Sequence, residues 1–281
     1  MTTLLQAETN TAGFSVAFIG GGSMASALIG GLIRGGMPPA AIHVVEPVAA
    51  TRERLSAEYG VGVAPLADAA LGGIDMVVWA VKPQHFAEAA RQVTRFTGQA
   101  LHVSVAAGIS TPSMAQWLGT GRVVRAMPNT PALIGKGITG LFAAEGVSAA
   151  DRGMVQTLVA PTGDLLWVEQ ERLIDAVTAV SGSGPAYIFY VMESMVAAGV
   201  QMGLSAEQAR RLVGATVAGA AALANASGDS LKALRERVTS KGGTTFAAIT
   251  SLAKAGLPDA FVEAMWAANH RAAEISAQQG G

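Results

Sequence analysis

Two stretches of this chain hold residues whose types and spacing can bind a ligand. One, Gly20-Gly21-Gly22-Ser23-Met24-Ala25, follows a short apolar run and opens an amphipathic stretch. In this G-x-G-x-x-A pattern the first glycine permits a tight turn and the second lets the backbone approach a pyrophosphate, while small Ala25 allows close helix–strand packing. The helix N-terminus beyond it offers free N–H groups and a partial positive charge to phosphate. The other stretch, Thr239-Ser240-Lys241-Gly242-Gly243-Thr244-Thr245, has no apolar side chain although it interrupts an Ala-rich helical region. Its glycines can aim successive N–H groups at an anion such as a carboxylate. The hydroxyls of Ser240 and Thr245 add neutral donors. The same residues also suit a polar turn between helices, capped by Thr and Ser. On the residues alone the two readings stand equal.

Glu46 closes the second apolar run, 26 positions after Gly20. An acidic residue there accepts hydrogen bonds from the adenosine ribose and repels a 2′-phosphate, which points toward NADH. Nearby Arg52 and Arg54 read as solvated helix charges. Three more runs end in WAVKPQ (79–84), VAAG (105–108) and MPNTP (127–131). Lys82 reads as shaping a cofactor site rather than as a general acid, and Pro83 turns the chain. Asn129 and Thr130, held between two prolines, are polar groups placed to lie near a nicotinamide. In a parallel sheet all these ends share the carboxyl edge, where ligands bind.

The elements needed to position them follow from periodicity. VAFIG (16–20), IHVVE (42–46), MVVWAV (76–81), LHVSVA (101–106) and RVVRAM (122–127) are apolar throughout, as strands covered on both faces are. Amphipathic stretches near 24–35, 49–59, 84–97 and 111–119 supply crossover helices. GITGLFAA (137–144) and DLLWVE (164–169) add strands around a helix at about 148–160. The expected architecture is α/β: a doubly wound, Rossmann-type parallel sheet domain over 15–170, after a flexible tail at 1–14. An all-α domain over 171–281 follows, with helices across 171–225 and 246–278. SGSGPA (181–186), NASGD (225–229) and the polar loop punctuate them. Gly214, Ala218 and Ala222, at four-residue spacing, together with Gly219, let helix backbones approach closely within or between subunits.

Composition narrows the chemistry. Of 281 residues, 51% are apolar and 14% charged, with a formal net charge of −1, so no basic excess points to nucleic acid. There is no cysteine, and His43, His85, His102 and His270 are dispersed, so no metal site is expected. The start lacks the basic and apolar segments of a secretion signal. The most apolar segment, 185–204, carries Glu193 at its middle, a costly residue at bilayer depth, so it reads as a buried helix. Alcohol oxidation needs a base, commonly Lys or His on the first helix of the second domain, yet residues 173–209 contain no Lys, Arg or His. Reduction of an imine needs less: a protonated ring nitrogen makes the carbon electrophilic, and the protein must mainly position the substrate.

GGGSMASAL, AVKPQ, RAMPNTPALIGKG, AVTAVSGSGPAY and RVTSKGGTT, in this order, resemble pyrroline-5-carboxylate reductase from about residue 14 onward. The resemblance implies a cytoplasmic enzyme that reduces L-1-pyrroline-5-carboxylate to L-proline with NADPH or NADH. It implies helical domains that interlock in homodimers, with further assembly. It places the cofactor at Ile19, Gly20, Gly21, Gly22, Ser23 and Met24, around Glu46, at Ala80, Val81, Lys82 and Pro83, and at Val105, Ala106 and Ala107. The substrate carboxylate would lie on Ser240 and the backbone of Gly243, Thr244 and Thr245. The Thr245 hydroxyl would bond the ring nitrogen, in a site shared between subunits. Three positions depart from the family: Lys241 and Leu231 stand where proline is frequent, and Ala67 stands near a usual asparagine. A reductase of another cyclic imine carboxylate and a non-catalytic dinucleotide sensor are the alternatives. The intact polar loop counts against the sensor.

Overall fold

The apolar runs pair into one eight-stranded sheet in a computed structural model that describes residues 13–279. Residues 1–12 of the expected tail lie outside the described residues. The strands are β1 (Val16–Ile19), β2 (Ile42–Val45), β3 (Gly62–Ala64), β4 (Met76–Trp79), β5 (Leu101–Ser104), β6 (Val123–Met127), β7 (Gly137–Ala143) and β8 (Gly163–Trp167), in the order β3-β2-β1-β4-β5-β6-β7-β8. The connecting helices are α1 (Ser23–Arg34), α2 (Ala49–Tyr59), α3 (Pro83–Thr97), α4 (Thr111–Leu118) and α5 (Ala149–Val159). Every residue of β1, β4 and β5 is buried. Alternate side chains of β1 serve different cores, because successive residues of a strand face opposite ways. Val16 and Phe18 join Leu28, Ile29 and Leu55. Ala17 and Ile19 join Trp79, Phe86 and Val93.

The sheet is parallel from β3 through β6, and β7 then pairs antiparallel with β6. Residues 128–136 between them are too few for a crossover, which needs a dozen or more. After β7 the chain has room for α5, and β8 returns parallel to β7. The short strand β3 was not expected. Its three residues carry only Val63 as a β-branched side chain and sit just after Gly60, the left-handed cap of α2.

The chain divides into two compact units. The first runs from the sheet through Ser183 and takes back the chain from Ala268 onward; the second spans Gly184–Ala267. The expected boundary at 170/171 therefore falls inside the first unit. The buried Arg125 of β6 accounts for this. It pairs with Glu171 at 3.3 Å and with Asp175 at 3.2 Å, and donates to Ser276 Oγ at 3.2 Å. Glu171 also accepts from the Thr111 N–H and hydroxyl at 2.7 and 2.6 Å. Removing one partner from a buried cluster of this kind strands the others, so these side chains bind α6 (Leu173–Val177) and the end of α11 (Leu257–Gln279) to the sheet.

SGSGPA is not a break between helices. Thr178–Gly182 continue α6 as a π-helical turn, closed by Ser183 N–H on Thr178 O at 2.8 Å, and α7 (Gly184–Gln201) starts at once. In the second unit α7 packs on α8 (Ala206–Ala226). A Cβ on Gly199 would lie 3.1 Å from Ala209 Cβ, so the missing side chain permits that contact. Ser205 and Gln208 cap α8 reciprocally. A further helix, α9 (Leu231–Arg237), was not expected; α10 (Thr244–Lys254) and the first half of α11, through Ala267, complete the unit. Leu231 occupies the first turn of α9 behind the Ser230 cap, the slot where proline is also at home. Its departure from the family is thus local.

Candidate dinucleotide cleft and substrate loop

The carboxyl ends of the parallel strands are laced together before any ligand arrives. Gly20 N–H donates to Val45 O and Ala80 N–H to Ile19 O, both at 2.8 Å, and Val105 N–H donates to Trp79 O at 3.1 Å. The edge loops after β1, β2, β4 and β5 are therefore neighbours. A cleft of about 540 Å³ opens among the first three, lined by Ile19 to Gly22, Glu46, and Ala80 to Lys82. Ser23 and Met24 follow as the first residues of α1, and Pro83 opens α3. Val105, Ala106 and Ala107 lie further along the same edge, outside that cleft.

The three glycines have distinct duties. Gly20 has φ +98°, and a Cβ there would lie 2.6 Å from Ala80 O, so only glycine fits this turn. A Cβ on Gly21 would lie 2.6 Å from the Leu55 side chain. Around Gly22, by contrast, nothing lies within 4 Å of a Cβ position. Its φ of −68° and ψ of −174° are open to any residue. The space beside Gly22 is open rather than filled by protein. The first bond of α1 runs from Ser26 N–H to Gly22 O at 2.9 Å, which leaves the preceding N–H groups without helical partners. These features fit a pyrophosphate.

Glu46 is 9% exposed. Its Oε2 accepts from Gly21 N–H and its Oε1 from Val48 N–H, each at 2.8 Å. The neighbouring arginines are solvated only in part: Arg52 is half-buried and Arg54 exposed, yet each also bonds locally. Arg52 Nη1 donates to the carbonyls of Glu46 and Pro47 at 2.8 Å. Arg54 Nη2 donates to Gly21 O at 3.2 Å and Ser26 Oγ at 3.1 Å, while its Nη1 reaches Glu58. Asn129 differs in the same way: its amide donates to Ser181 O at 3.2 Å and accepts from Ile138 N–H at 3.0 Å. It braces the end of β6 against β7 and the π turn, rather than offering free groups to a ligand.

Sequence reasoning missed the outer walls. Pro65 and Leu66 form one, beside the Ala67 already singled out and beyond the unforeseen β3. His85, Glu88 and Gln92 form the other, spaced along one face of α3. That helical spacing was the available signal. His102 is buried and donates nothing to the cleft: burial pushes it down to about 4, and Trp79 Nε1 donates to its Nδ1 at 3.1 Å. It is a neutral core histidine. Among the described residues no cluster of side chains could hold a metal ion.

The polar loop in the second unit is a tight turn followed by a helix start. Gly243 N–H donates to Ser240 O at 3.0 Å, and Gly242 has φ +77°. This is the pattern of a β-turn with a left-handed third residue. A Cβ on Gly243 would lie 2.7 Å from Ser240 Oγ, so this glycine leaves room for the serine hydroxyl. Its own N–H is engaged in the turn. The first bond of α10 runs from Ala247 N–H to Gly243 O at 3.1 Å, leaving the N–H groups of Thr244, Thr245 and Phe246 without helical partners. Lys241 occupies the second turn position, where proline is favoured. Lys241→Pro is expected to stabilise the protein by about 0.4–1 kcal/mol, read by urea denaturation. A loss of stability would show that the lysine backbone does not sit in the proline-compatible region.

Comparison with known proteins gives a consistent result. Residues 171–275 match the family described as pyrroline-5-carboxylate reductase dimerisation, and residues 15–108 match the family described as NADP oxidoreductase coenzyme F420-dependent. The pyrroline-5-carboxylate reductase of Pseudomonas aeruginosa is 44% identical over 267 residues, covering 94% of this chain and 98% of that protein. The structure of a pyrroline-5-carboxylate reductase from Coxiella burnetii superposes with a TM-score of 0.87 at 38% identity, covering 94% of this chain and 98% of the other. The pyrroline carboxylate reductase of Plasmodium falciparum, solved with NADP bound, gives 0.82 at 25% identity, covering 94% and 98%. The chain belongs to the pyrroline-5-carboxylate reductase family.

Proposed function

We propose that this chain carries out its family's reaction, the NAD(P)H-dependent reduction of L-1-pyrroline-5-carboxylate to L-proline, with the residues described above. The cleft at the carboxyl edge holds the cofactor. The N–H groups opening α1 take the pyrophosphate, Gly22 lets it approach, and Glu46 accepts from the adenosine ribose. Val105, Ala106 and Ala107 extend that contact along the edge. When bound, the reduced nicotinamide supplies a hydride.

The second unit handles the substrate. Ser240 Oγ and the N–H groups of Thr244 and Thr245 hold the ring carboxylate, while Gly243 makes the space in which the serine hydroxyl sits. The Thr245 hydroxyl bonds the ring nitrogen and fixes which face of the protonated imine carbon is presented. No general base is needed, because the imine arrives protonated and the product amine keeps that proton. This agrees with the lack of Lys, Arg and His over residues 173–209. The chain forms a homo-oligomer through its helical unit. Gly214, Ala218, Gly219 and Ala222 have no side-chain bulk to fend off a second helix, and Gly214 and Gly219 have nothing within 4 Å of a Cβ position. Among the described residues no helix is long and apolar enough to cross a membrane. The chain's bacterial relatives are in keeping with a cytoplasmic enzyme.

The observation that carries the reading is the open cradle at Gly22, in a chain that also keeps the hydroxyl and glycine loop. Ring size tests the substrate. The five-membered imine carboxylate is expected to have a kcat/KM at least tenfold above its six-membered homologue. The reverse order would assign the loop to the larger ring.

A further inference from the structure

We propose that Glu46 makes this enzyme select NADH over NADPH. The inference rests on the cleft being the dinucleotide site and departs from the NADP named for its relatives. An acidic residue at the end of the second strand of such a fold meets the adenosine ribose hydroxyls. Here the carboxylate is buried and held from two sides by neutral donors, the N–H groups of Gly21 and Val48 at 2.8 Å. Each oxygen keeps a second acceptor site, suited to the 2′- and 3′-hydroxyls of an unphosphorylated ribose. Among the described residues its carboxylate forms no ion pair, so a 2′-phosphate would meet its negative charge directly.

The two arginines that could have reversed this preference bond elsewhere, Arg52 half-buried and Arg54 at the surface. Arg52 turns its guanidinium onto the carbonyls of Glu46 and Pro47. Arg54 is bound to Gly21 O, Ser26 Oγ and Glu58. Neither lines the cleft. Beyond Glu46 the wall is Pro47, Val48, Pro65 and Leu66, which offers no donor side chain to a phosphate. The basic side chains that do line the cleft, Lys82 and His85, follow β4, on the far side of β1 from β2. A 2′-phosphate would therefore lose water, meet a fixed anion and gain no cation.

Equilibrium binding separates this proposal from the reading beneath it. The dissociation constants of NADH and NADPH are measured by calorimetry on the purified wild-type protein and on Glu46→Gln, without substrate. The wild type is expected to bind NADH at least tenfold more tightly than NADPH. Glu46→Gln, which removes the charge and keeps the shape, is expected to bring the two within threefold, mainly by tightening NADPH. Wild-type protein that binds NADPH as tightly as NADH, or more tightly, overturns the selection while leaving the cleft in place. A preference for NADH that persists unchanged in Glu46→Gln overturns the role of Glu46. Folded protein that binds neither dinucleotide overturns the cleft itself.

Discussion

Gly22→Val is expected to weaken NAD(P)H binding by at least a hundredfold, about 2.7 kcal/mol, while the protein still folds, at a stability cost of no more than about 1 kcal/mol for the changed N-cap. The two halves of that expectation come from one observation. Nothing in the chain lies within 4 Å of a Cβ at this position, and its backbone is in a region that valine adopts freely. The branched side chain thus projects where the pyrophosphate would lie against the helix N-terminus. Gly20 and Gly21 behave differently. A side chain at either meets protein at 2.6 Å, so their replacement is expected to cost stability before binding can be read. Titration calorimetry together with urea denaturation distinguishes the cases. Unchanged dinucleotide affinity in folded Gly22→Val would refute the phosphate cradle.

Thr245→Ala is expected to lower kcat by about ten- to a hundredfold, the equivalent of one hydrogen bond to a charged group at about 1.5–3 kcal/mol. The dissociation constant for the dinucleotide should stay within twofold, because Thr245 belongs to α10 and not to the cleft. The peptide N–H at 245 survives the substitution, so carboxylate binding should be less affected than turnover. Thr245→Ser, which keeps the hydroxyl, should recover most of the rate. Stopped-flow and steady-state traces give both constants on the same preparation. Full turnover in Thr245→Ala would remove the hydroxyl from the reaction.

Much of this was legible in the sequence, for definable reasons. β1, β4 and β5 are buried on both faces, so they appear as unbroken apolar runs. The glycine loop was readable because turn, strand and helix must meet in that order. Strand direction was harder, since residue pattern alone says nothing about it. The short link between β6 and β7 held the information that β7 turns back. SGSGPA looked like a break because serine and glycine usually end helices, whereas here Ser181 Oγ donates to Val177 O at 3.0 Å inside a widened turn. Arg52 and Arg54 were legible only in part, because helix position gives exposure, which Arg54 keeps, but not the carbonyls within reach of a long side chain. The engaged N–H of Gly243 was invisible for a related reason: a nest and a turn share the same glycines.

The central claim is that this protein reduces a cyclic imine carboxylate with hydride from a nicotinamide. The most direct test follows nicotinamide absorbance at neutral pH after L-1-pyrroline-5-carboxylate is added to purified protein, with NADH and NADPH in parallel. Rapid oxidation that forms L-proline in equal amount is the predicted result, with the larger kcat/KM for NADH. Folded protein that binds the dinucleotide but oxidises neither form on addition of the imine would contradict it.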